Sequence, residues 1–558
     1  MAYVLTLDFE TRDPAISLKR GAGWCFEDFE ILGAAYKLDD RPSVFTSNMQ
    51  ELQHIVAGCR SIVAHNAQYD IGCLHRLKIN YEDKLIVDTA ILAKLYDNSM
   101  LSYSLDSLSK DILGDAKDYY LLKEAAESLG LRKYMSSMKE IFLEYPQLVA
   151  DYAKKDVELT YRLSQWFKSQ LYSSALDLVP FYSDLIKALV KWRSKGVLVD
   201  LEQANKSSEI LHALQMQAME EFRTYCPDVN PDSSKQLSKA FRDLGLVPAV
   251  SAKGGDSVDT HWRSKQTHPA VLALSTVKKY TTLVRDYVDN LQDIAENGRI
   301  YPEINILGAA ETGRFSSSNP NIQQIPKRDP VATELIRSLY LAEFGESLYS
   351  LDFSSQEPRL QVHYAYLIGA EGADMLKTAF DHNPQHDLHQ QVAELAGIDR
   401  KTAKTINLGI SYGMGVAKLA ASLKLDEKTA RSLKKRYSTL TPYLNQLNSA
   451  VQESGTRKGY ITTLLGRRLR MDFDRPYKAL NKLIQGGAAD QTAAAMVQAY
   501  REGIDLKFSV HDELVMSTAS PDKARRLKAI MESIIPLEVP CYTEILTGKS
   551  WAGKQPLL

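Results

Sequence analysis

The order of apolar and polar positions divides the chain into regions of different texture. Residues 3–10 alternate as a strand does, so that every second side chain shares a face. Asp70 is followed by Ile71, Leu74 and Leu77, the stripe of a helix, and residues 150–172 predict another. From 176 to 300 helical patterns dominate, as at Ser183 to Lys195 and Pro269 to Ala295, with a polar, glycine-containing interruption from Ser251 to Ser257. Strands return at Ser347 to Phe353 and Leu506 to Met516, with a helical, basic block over 376–455 between them. The pattern predicts a mixed α/β unit, then a helical unit, then a strand-bearing platform with a helical insertion.

Composition narrows the class. At about 100–200 residues per domain, 558 residues predict three or four domains. A hydrophobic fraction of 44% with 25% charged residues excludes a mainly disordered or collagen-like chain. Lys plus Arg number 68 against 69 Asp plus Glu, a net charge of −1, which excludes a histone-like polycation but not local basic patches. Five scattered cysteines without a Cys-x-x-Cys pair predict neither a zinc site nor a disulfide framework, and a reducing compartment is expected. No stretch approaches the ~18 apolar residues of a membrane span. Met1 to Leu7 reads as a first strand, not a signal peptide.

Three carboxylate elements stand out in the first unit. In Thr6-Leu7-Asp8-Phe9-Glu10-Thr11 the two acids share one face of a strand and repel unless a cation lies between them. Ala64-His65-Asn66-Ala67-Gln68-Tyr69-Asp70 runs from an apolar strand into a polar turn. In Tyr152-Ala153-Lys154-Lys155-Asp156 the tyrosine and aspartate share a helix face. Each alone is an ordinary strand end, helix cap or exposed acid. In this order they resemble the signature of the DEDD proofreading exonucleases, over roughly residues 1–175. The resemblance implies that Asp8, Glu10, Asp70 and Asp156 bind two divalent metals and that Tyr152 orients the attacking water.

The last third carries a second constellation. Asp352 lies inside the apolar strand Ser350 to Phe353, and Val510-His511-Asp512-Glu513-Leu514 repeats the theme near a turn. A buried, unpaired Asp costs several kcal/mol, so two such acids favour a shared metal site over two solvent-facing strand ends. Asp399 is a plausible N-cap, followed by Arg400, Lys404, Leu408 and Tyr412 spaced four apart. Cations at that end of a helix suit a polyphosphate. Residues 400–436 hold ten Lys/Arg against two acids, a local +8, although such a run is usually a solvated face.

These segments resemble motifs A, B and C of family A DNA polymerases: Asp352 to Arg359, Arg400 to Gly413, and His511-Asp512-Glu513. Flanking blocks match at Thr312 to Ser317, at Asn321 to Pro326, and at Asn481 with Gln485 to Asp490. The resemblance implies a ribonuclease H-like 3′–5′ exonuclease domain (1–175) followed by a right-hand polymerase. Its helical thumb would span 176–300, its antiparallel-sheet palm 301–375 and 456–558, and its helical fingers 376–455. It implies catalytic Asp352, Asp512 and Glu513, with Lys404 as proton donor. Two Mg²⁺ per site are implied, replaceable by Mn²⁺, with the Phe353 carbonyl as an extra ligand. Arg400, Lys404, His389, Gln356, Leu408 and Tyr412 would meet the incoming nucleotide, and Glu357 would exclude a ribose 2′-OH. Arg314, Gln323, Gln324, Asn481, Gln485 and His511 would contact DNA, partly through minor-groove acceptors common to every base pair.

Leu408 stands where the family has an aromatic residue, and Pro358 where leucine is commoner. No 5′ nuclease segment precedes Met1, and the lean layout suggests a phage replicative enzyme: a monomer acting on primer–template DNA and dNTPs in the host cytoplasm, away from membranes. The motifs name no replisome partner and do not report which bases are copied. Two other readings are a 3′–5′ exonuclease whose polymerase half only binds DNA, and a single-subunit RNA polymerase. Intact Asp352, Lys404 and Asp512 argue against the first. Glu357 and the exonuclease motifs argue against the second.

Overall fold

The computed structural model describes residues 3–117, 119–251, 254–327, 329–411 and 413–557. The first unit is built on β1 (Tyr3–Arg12), β2 (Glu30–Leu38), β3 (Val44–Thr46), β4 (Cys59–Ala64) and β5 (Leu85–Asp88), in the order β3-β2-β1-β4-β5. β1 is antiparallel to β2 and parallel to β4, the mixed sheet of a ribonuclease H-like fold. As the central strand it buries Leu5 and Leu7 completely. Helices α1 (Gln68–Arg76), α2 (Thr89–Tyr96) and α3 (Pro146–Gln170) flank the sheet. Pro146 opens α3, where a missing N–H leaves no intrahelical bond unmade.

A further helix, α4 (Val179–Lys195), packs on α1 and β5. Beyond it come α5 (Leu201–Tyr225), α6 (Ser234–Asp243) and α7 (Pro269–Thr282), with Asp200 and Ser233 capping α5 and α6. The helix expected from Pro269 to Ala295 runs on to Ile294, but it widens into π-helical turns over Leu283–Asp289. Phe222, Phe241 and Trp262 centre the core of this unit, and the indole N–H of Trp262 donates to the Val247 carbonyl at 2.8 Å.

The platform begins with the hairpin β6 (Glu303–Ala309) and β7 (Arg314–Ser318), then β8 (Ser347–Phe353) and α8 (Gln356–Leu367). The helical insertion comprises α9 (Leu388–Ala396), α10 (Arg400–Ser411), α11 (Val416–Leu423), α12 (Glu427–Leu440) and α13 (Pro442–Lys458). The chain returns through β9 (Tyr460–Thr462), β10 (Arg468–Arg470), α14 (Ala479–Arg501), β11 (Leu506–Val510), β12 (Glu513–Thr518), α15 (Pro521–Ser533), β13 (Thr543–Gly548) and β14 (Gln555–Pro556). The palm sheet is antiparallel, in the order β11-β12-β8-β13-β14. The strand region expected over Leu506 to Met516, with a turn near His511, is a hairpin turning at His511-Asp512.

α14 is buried along nearly its whole length, which explains its run of small residues. A Cβ at Gly486 would lie 2.7 Å from the Thr463 methyl. Gly486 therefore serves close packing. One continuous hydrophobic core joins Leu5 and Leu74 of the first unit, Leu185 of α4, and Met496, Leu351 and Leu514 of the palm. α4 bridges the two units, since it also packs on α14.

Candidate active sites

At the first acidic site the backbone N–H of Phe9 donates to Asp70 Oδ1 at 3.1 Å. That bond draws the N-terminus of α1 onto β1 between Asp8 and Glu10. Asp88, which caps α2, accepts from the N–H groups of Asn66 (3.0 Å) and Ala67 (2.9 Å), so it shapes the turn leading to Asp70. Tyr152 and Asp156 project from α3, and Asp156 is buried. Burial, then the Asp156 charge, pushes Asp8 up to about 7. Burial, then Asp8 and Asp156, raises Glu10 well above the usual carboxylate range. Burial and Asp8 likewise raise Asp70.

Lys117 compensates this cluster. Its ammonium pairs with Asp156, donates to the Tyr152 hydroxyl at 3.1 Å and lies 5.2 Å from that ring's centre. Burial alone would lower the Lys117 pKa, but Asp156, Tyr152 and Asp8 outweigh it and raise it. Among the described residues no three acids, histidines or cysteines close to ligating distance. The donor set still fits a hard divalent cation: it is all oxygen, mutually repelling, and buried at Glu10, Asp70 and Asp156. Asp156 Oδ1 is buried without a hydrogen-bond partner, and an ammonium already supplies positive charge there.

The second site lies on the palm. Asp352 ends the central strand β8, paired across the sheet with Glu513 on one side and Glu544 on the other. Asp512 sits in the β11–β12 turn, where His511 takes the positive φ (57°) that such short hairpins require. The Asp512 carbonyl accepts from the Phe353 N–H at 3.3 Å, holding the turn beside the end of β8. Burial, then the Asp352 charge, pushes Asp512 up to about 7. Lys327 reaches Asp352 and lies 3.6 Å from Glu513.

Glu513 has a different environment from its neighbour. Its Oε1 accepts from Ser350, from the Trp551 indole (2.8 Å) and from Lys554 (3.0 Å). Burial opposes its ionisation, but Lys554 and Lys327 outweigh burial and hold Glu513 at about 2.

A cavity of about 880 Å³ opens above these acids. Asp352, Phe353, Asp512, His511, Arg314, Gln323, Gln356, Glu357, His389, Lys404 and Leu408 all line it. Arg314 and Glu357 pair directly within it. Of the other predicted contacts, Arg400 turns to Asp387 (2.5 Å), the N-cap of α9. His389 is buried, 3.3 Å from the Asn407 amide, and burial followed by Lys404 lowers it to about 4. Gln324, Asn481, Gln485 and Glu513 lie outside the cavity lining. The Asn481 side-chain oxygen is buried without a partner. Tyr412 lies outside the described residues.

Several structural residues carry no signal in the sequence pattern. Arg467 forms a buried pair with Asp490 and donates to the Thr312 (3.3 Å) and Gly486 (3.1 Å) carbonyls. Asp490, part of a block that resembled a binding motif, is thus a buried counter-ion. Asn98 bridges the two units, donating to the Ala310 carbonyl (3.1 Å) and accepting from Arg470 N–H (2.8 Å). Only Asp88 was accessible to local reasoning, since an Asp between an apolar strand and a helical stripe reads as a cap.

Two separated acid clusters, one on a ribonuclease H-like sheet and one on an antiparallel palm beneath a helical fingers unit, define a polymerase carrying its own nuclease. Residues 201–553 match the model of DNA polymerase family A, and residues 4–172 match that of the 3′–5′ exonuclease. The chain belongs to DNA polymerase family A and is a DNA-directed DNA polymerase with a 3′–5′ exonuclease domain. Both domains are metal-dependent in their families.

The chain is 29% identical to the DNA-directed DNA polymerase of Pseudomonas phage M6, over 98% of this chain and 93% of the relative. It is 27% identical to the DNA polymerase DpoZ of Acinetobacter phage SH-Ab 15497, over 85% and 84%. The thermostable DNA polymerase I of Thermus thermophilus is 32% identical over 66% of this chain and 47% of its own length. The fold superposes on the POL domain of Pol1 from M. smegmatis, solved with DNA primer-template and dNTP, with a TM-score of 0.81 at 22% identity. That match covers 99% of this chain and 95% of the other. No helix among the described residues is long and apolar enough to cross a membrane.

Proposed function

We propose that Asp352 and Asp512 form the nucleotidyl-transfer centre and that Asp8, Glu10, Asp70 and Asp156 form the editing centre. The substrates are primer–template DNA and dNTPs. The observation that carries this reading is the placement of Asp352 and Asp512, from two different strand ends, on one cavity wall, with Lys404 and His389 lining the same space. Two Mg²⁺ per centre, replaceable by Mn²⁺, would be held by these carboxylates, with the Phe353 carbonyl as a further ligand in the palm. Bound there, divalent cations acidify the attacking hydroxyl or water and hold phosphate oxygens.

The chain's own residues do the rest. Lys404 protonates the leaving pyrophosphate, and Arg400 and His389 steady the triphosphate, Arg400 after leaving Asp387. Gln356, Leu408 and Tyr412 meet the incoming nucleotide, and Glu357, anchored by Arg314, excludes a 2′-OH. Arg314, Gln323, Gln324, Asn481, Gln485 and His511 hold the primer–template end. Glu513 is a positioning residue, since its Oε1 is committed to Ser350, Trp551 and Lys554. In the editing centre Tyr152 orients the attacking water. The enzyme acts as a monomer that replicates phage DNA in the bacterial host cytoplasm.

The test is a 5′-labelled primer–template with Mg²⁺, with and without dNTPs. Asp512→Ala should abolish extension and keep shortening, and Asp8→Ala should do the reverse. Loss of both activities from either change would refute the two-centre assignment. Glu357→Ala should admit ribonucleotides, and an unchanged rNTP/dNTP ratio would remove Glu357 as the gate.

A further inference from the structure

The hairpin α11–α12 carries a charge surplus that neither active site uses. Residues 416–440 hold seven Lys/Arg against two acids. Lys418, Lys424, Lys428, Arg431, Lys435 and Arg436 are exposed. Among the described residues none of these six joins an ion pair, although neighbouring finger residues do, as in Lys377–Asp381 and Arg400–Asp387. Of the two acids, Asp426 is committed as the N-cap of α12, accepting from Thr429 at 2.9 Å and 2.6 Å. Other surface cations are paired, as in Arg526–Glu502 and Lys206–Glu202.

The surplus is also ordered. On α12, Ala430, Leu433 and Tyr437 face the finger core. Lys428, Arg431 and Lys435 repeat that three-and-four spacing on the opposite side. At 1.5 Å per residue these three cations span about 10 Å, which is about three phosphate steps of one DNA strand. α10, which lines the cavity through Lys404 and Leu408, leads into α11, on which α12 packs. The hairpin therefore adjoins the fingers wall of the cavity. The thumb has a separate core.

We propose that the outer face of α12 docks the unreplicated DNA duplex ahead of the primer terminus, through phosphate contacts from Lys428, Arg431 and Lys435. The inference rests on the polymerase reading above. The test compares a primer–template with a short single-stranded overhang against the same substrate carrying a downstream duplex beyond a one-nucleotide gap. Affinity is followed by fluorescence anisotropy as a function of KCl, for wild type and K428Q/R431Q/K435Q.

Each phosphate contact steepens the log–log salt dependence by about 0.9. In wild type the downstream duplex should therefore steepen the slope by about 3. The triple variant should lose that increment while binding the overhang substrate, adding one nucleotide and melting as wild type does. K428R/R431K/K435R should keep it. An equal increment in wild type and the triple variant, or none in wild type, would overturn the proposal. So would an increment produced by a long single-stranded overhang in place of the duplex. A wild type that extends no primer would instead count against the polymerase reading itself.

Discussion

Asp490→Asn isolates one buried charge. Arg467 and Asp490 are 4% and 2% exposed and 2.5 Å apart. Asp490 also accepts from the Leu465 N–H at 2.8 Å. Asparagine keeps the shape but removes the charge, leaving a guanidinium sealed from water with neutral acceptors only, the amide oxygen and the Thr312 and Gly486 carbonyls. Breaking a buried pair from one side costs about 3–5 kcal/mol. At a urea dependence of about 2–3 kcal/mol/M, the urea midpoint for loss of primer extension should fall by about 1–2.5 M.

The damage should reach the polymerase site, because the Thr312 carbonyl precedes Gly313 and the cavity-lining Arg314. A Cβ at Gly313 would collide with the Arg467 guanidinium, so that turn is moulded on this side chain. The companion variant R467M/D490L removes both charges. It should recover most of the loss, since apolar replacement of a whole buried pair is often neutral. An Asp490→Asn protein within 1 kcal/mol of wild type, on the usual uncertainty of such measurements, would refute the reasoning. So would a double variant as damaged as the single one.

Three further expectations follow from contacts already described. Lys117→Met should lower the melting temperature in EDTA and raise the gain on adding Mn²⁺, because the acids proposed for the editing centre lose their internal cation. Equal Mn²⁺ shifts in variant and wild type would reject this. Asn98→Ala removes two normal hydrogen bonds between the units, about 2 kcal/mol in all, and should impair discrimination at the polymerase site while sparing degradation of single-stranded DNA. Loss of both activities to the same degree would count against it. Glu343 is bound by Arg299 (2.6 Å) and Lys507, and Arg299, working against burial and joined by Lys507, depresses it to about 2. Its folded pKa lies below its unfolded value, so the stabilisation is present at neutral pH and is lost as pH falls from about 5 towards 2. Partial exposure limits the cost of Glu343→Gln to about 1 kcal/mol, and the gap between melting curves should close in that window.

Much of the site was legible because its chemistry is local. Asp-x-Glu on a strand and Tyr-x-x-x-Asp on a helix each present two groups to one face by backbone geometry alone. The four acids proposed for the editing centre were named through the resemblance of their ordered motifs, and Asp352 and Asp512 stood out as acids in apolar strands. The turn near His511-Asp512 was legible too, because polar residues interrupt the apolar run there, and a positive φ at His511 marks it. The role of Asp490 was not legible: α14 needs small residues to thread the core, and its aspartate serves Arg467, more than twenty residues away.

The order of elements and the basic helical block follow from the sequence by itself, because periodicity and spacing report which groups share a face of their own strand or helix, and the two acidic centres follow from the resemblance of the ordered motifs. Which charges meet was decided by packing. Lys117 reaches Asp156, Lys327 reaches Asp352, Lys554 reaches Glu513, and Asn98 reaches Ala310. These partners lie tens to hundreds of residues apart. Burial is what makes such contacts strong, because removing water raises both the cost of an unpaired charge and the value of a paired one. No local pattern encodes that burial, since it arises only when distant elements close on one another.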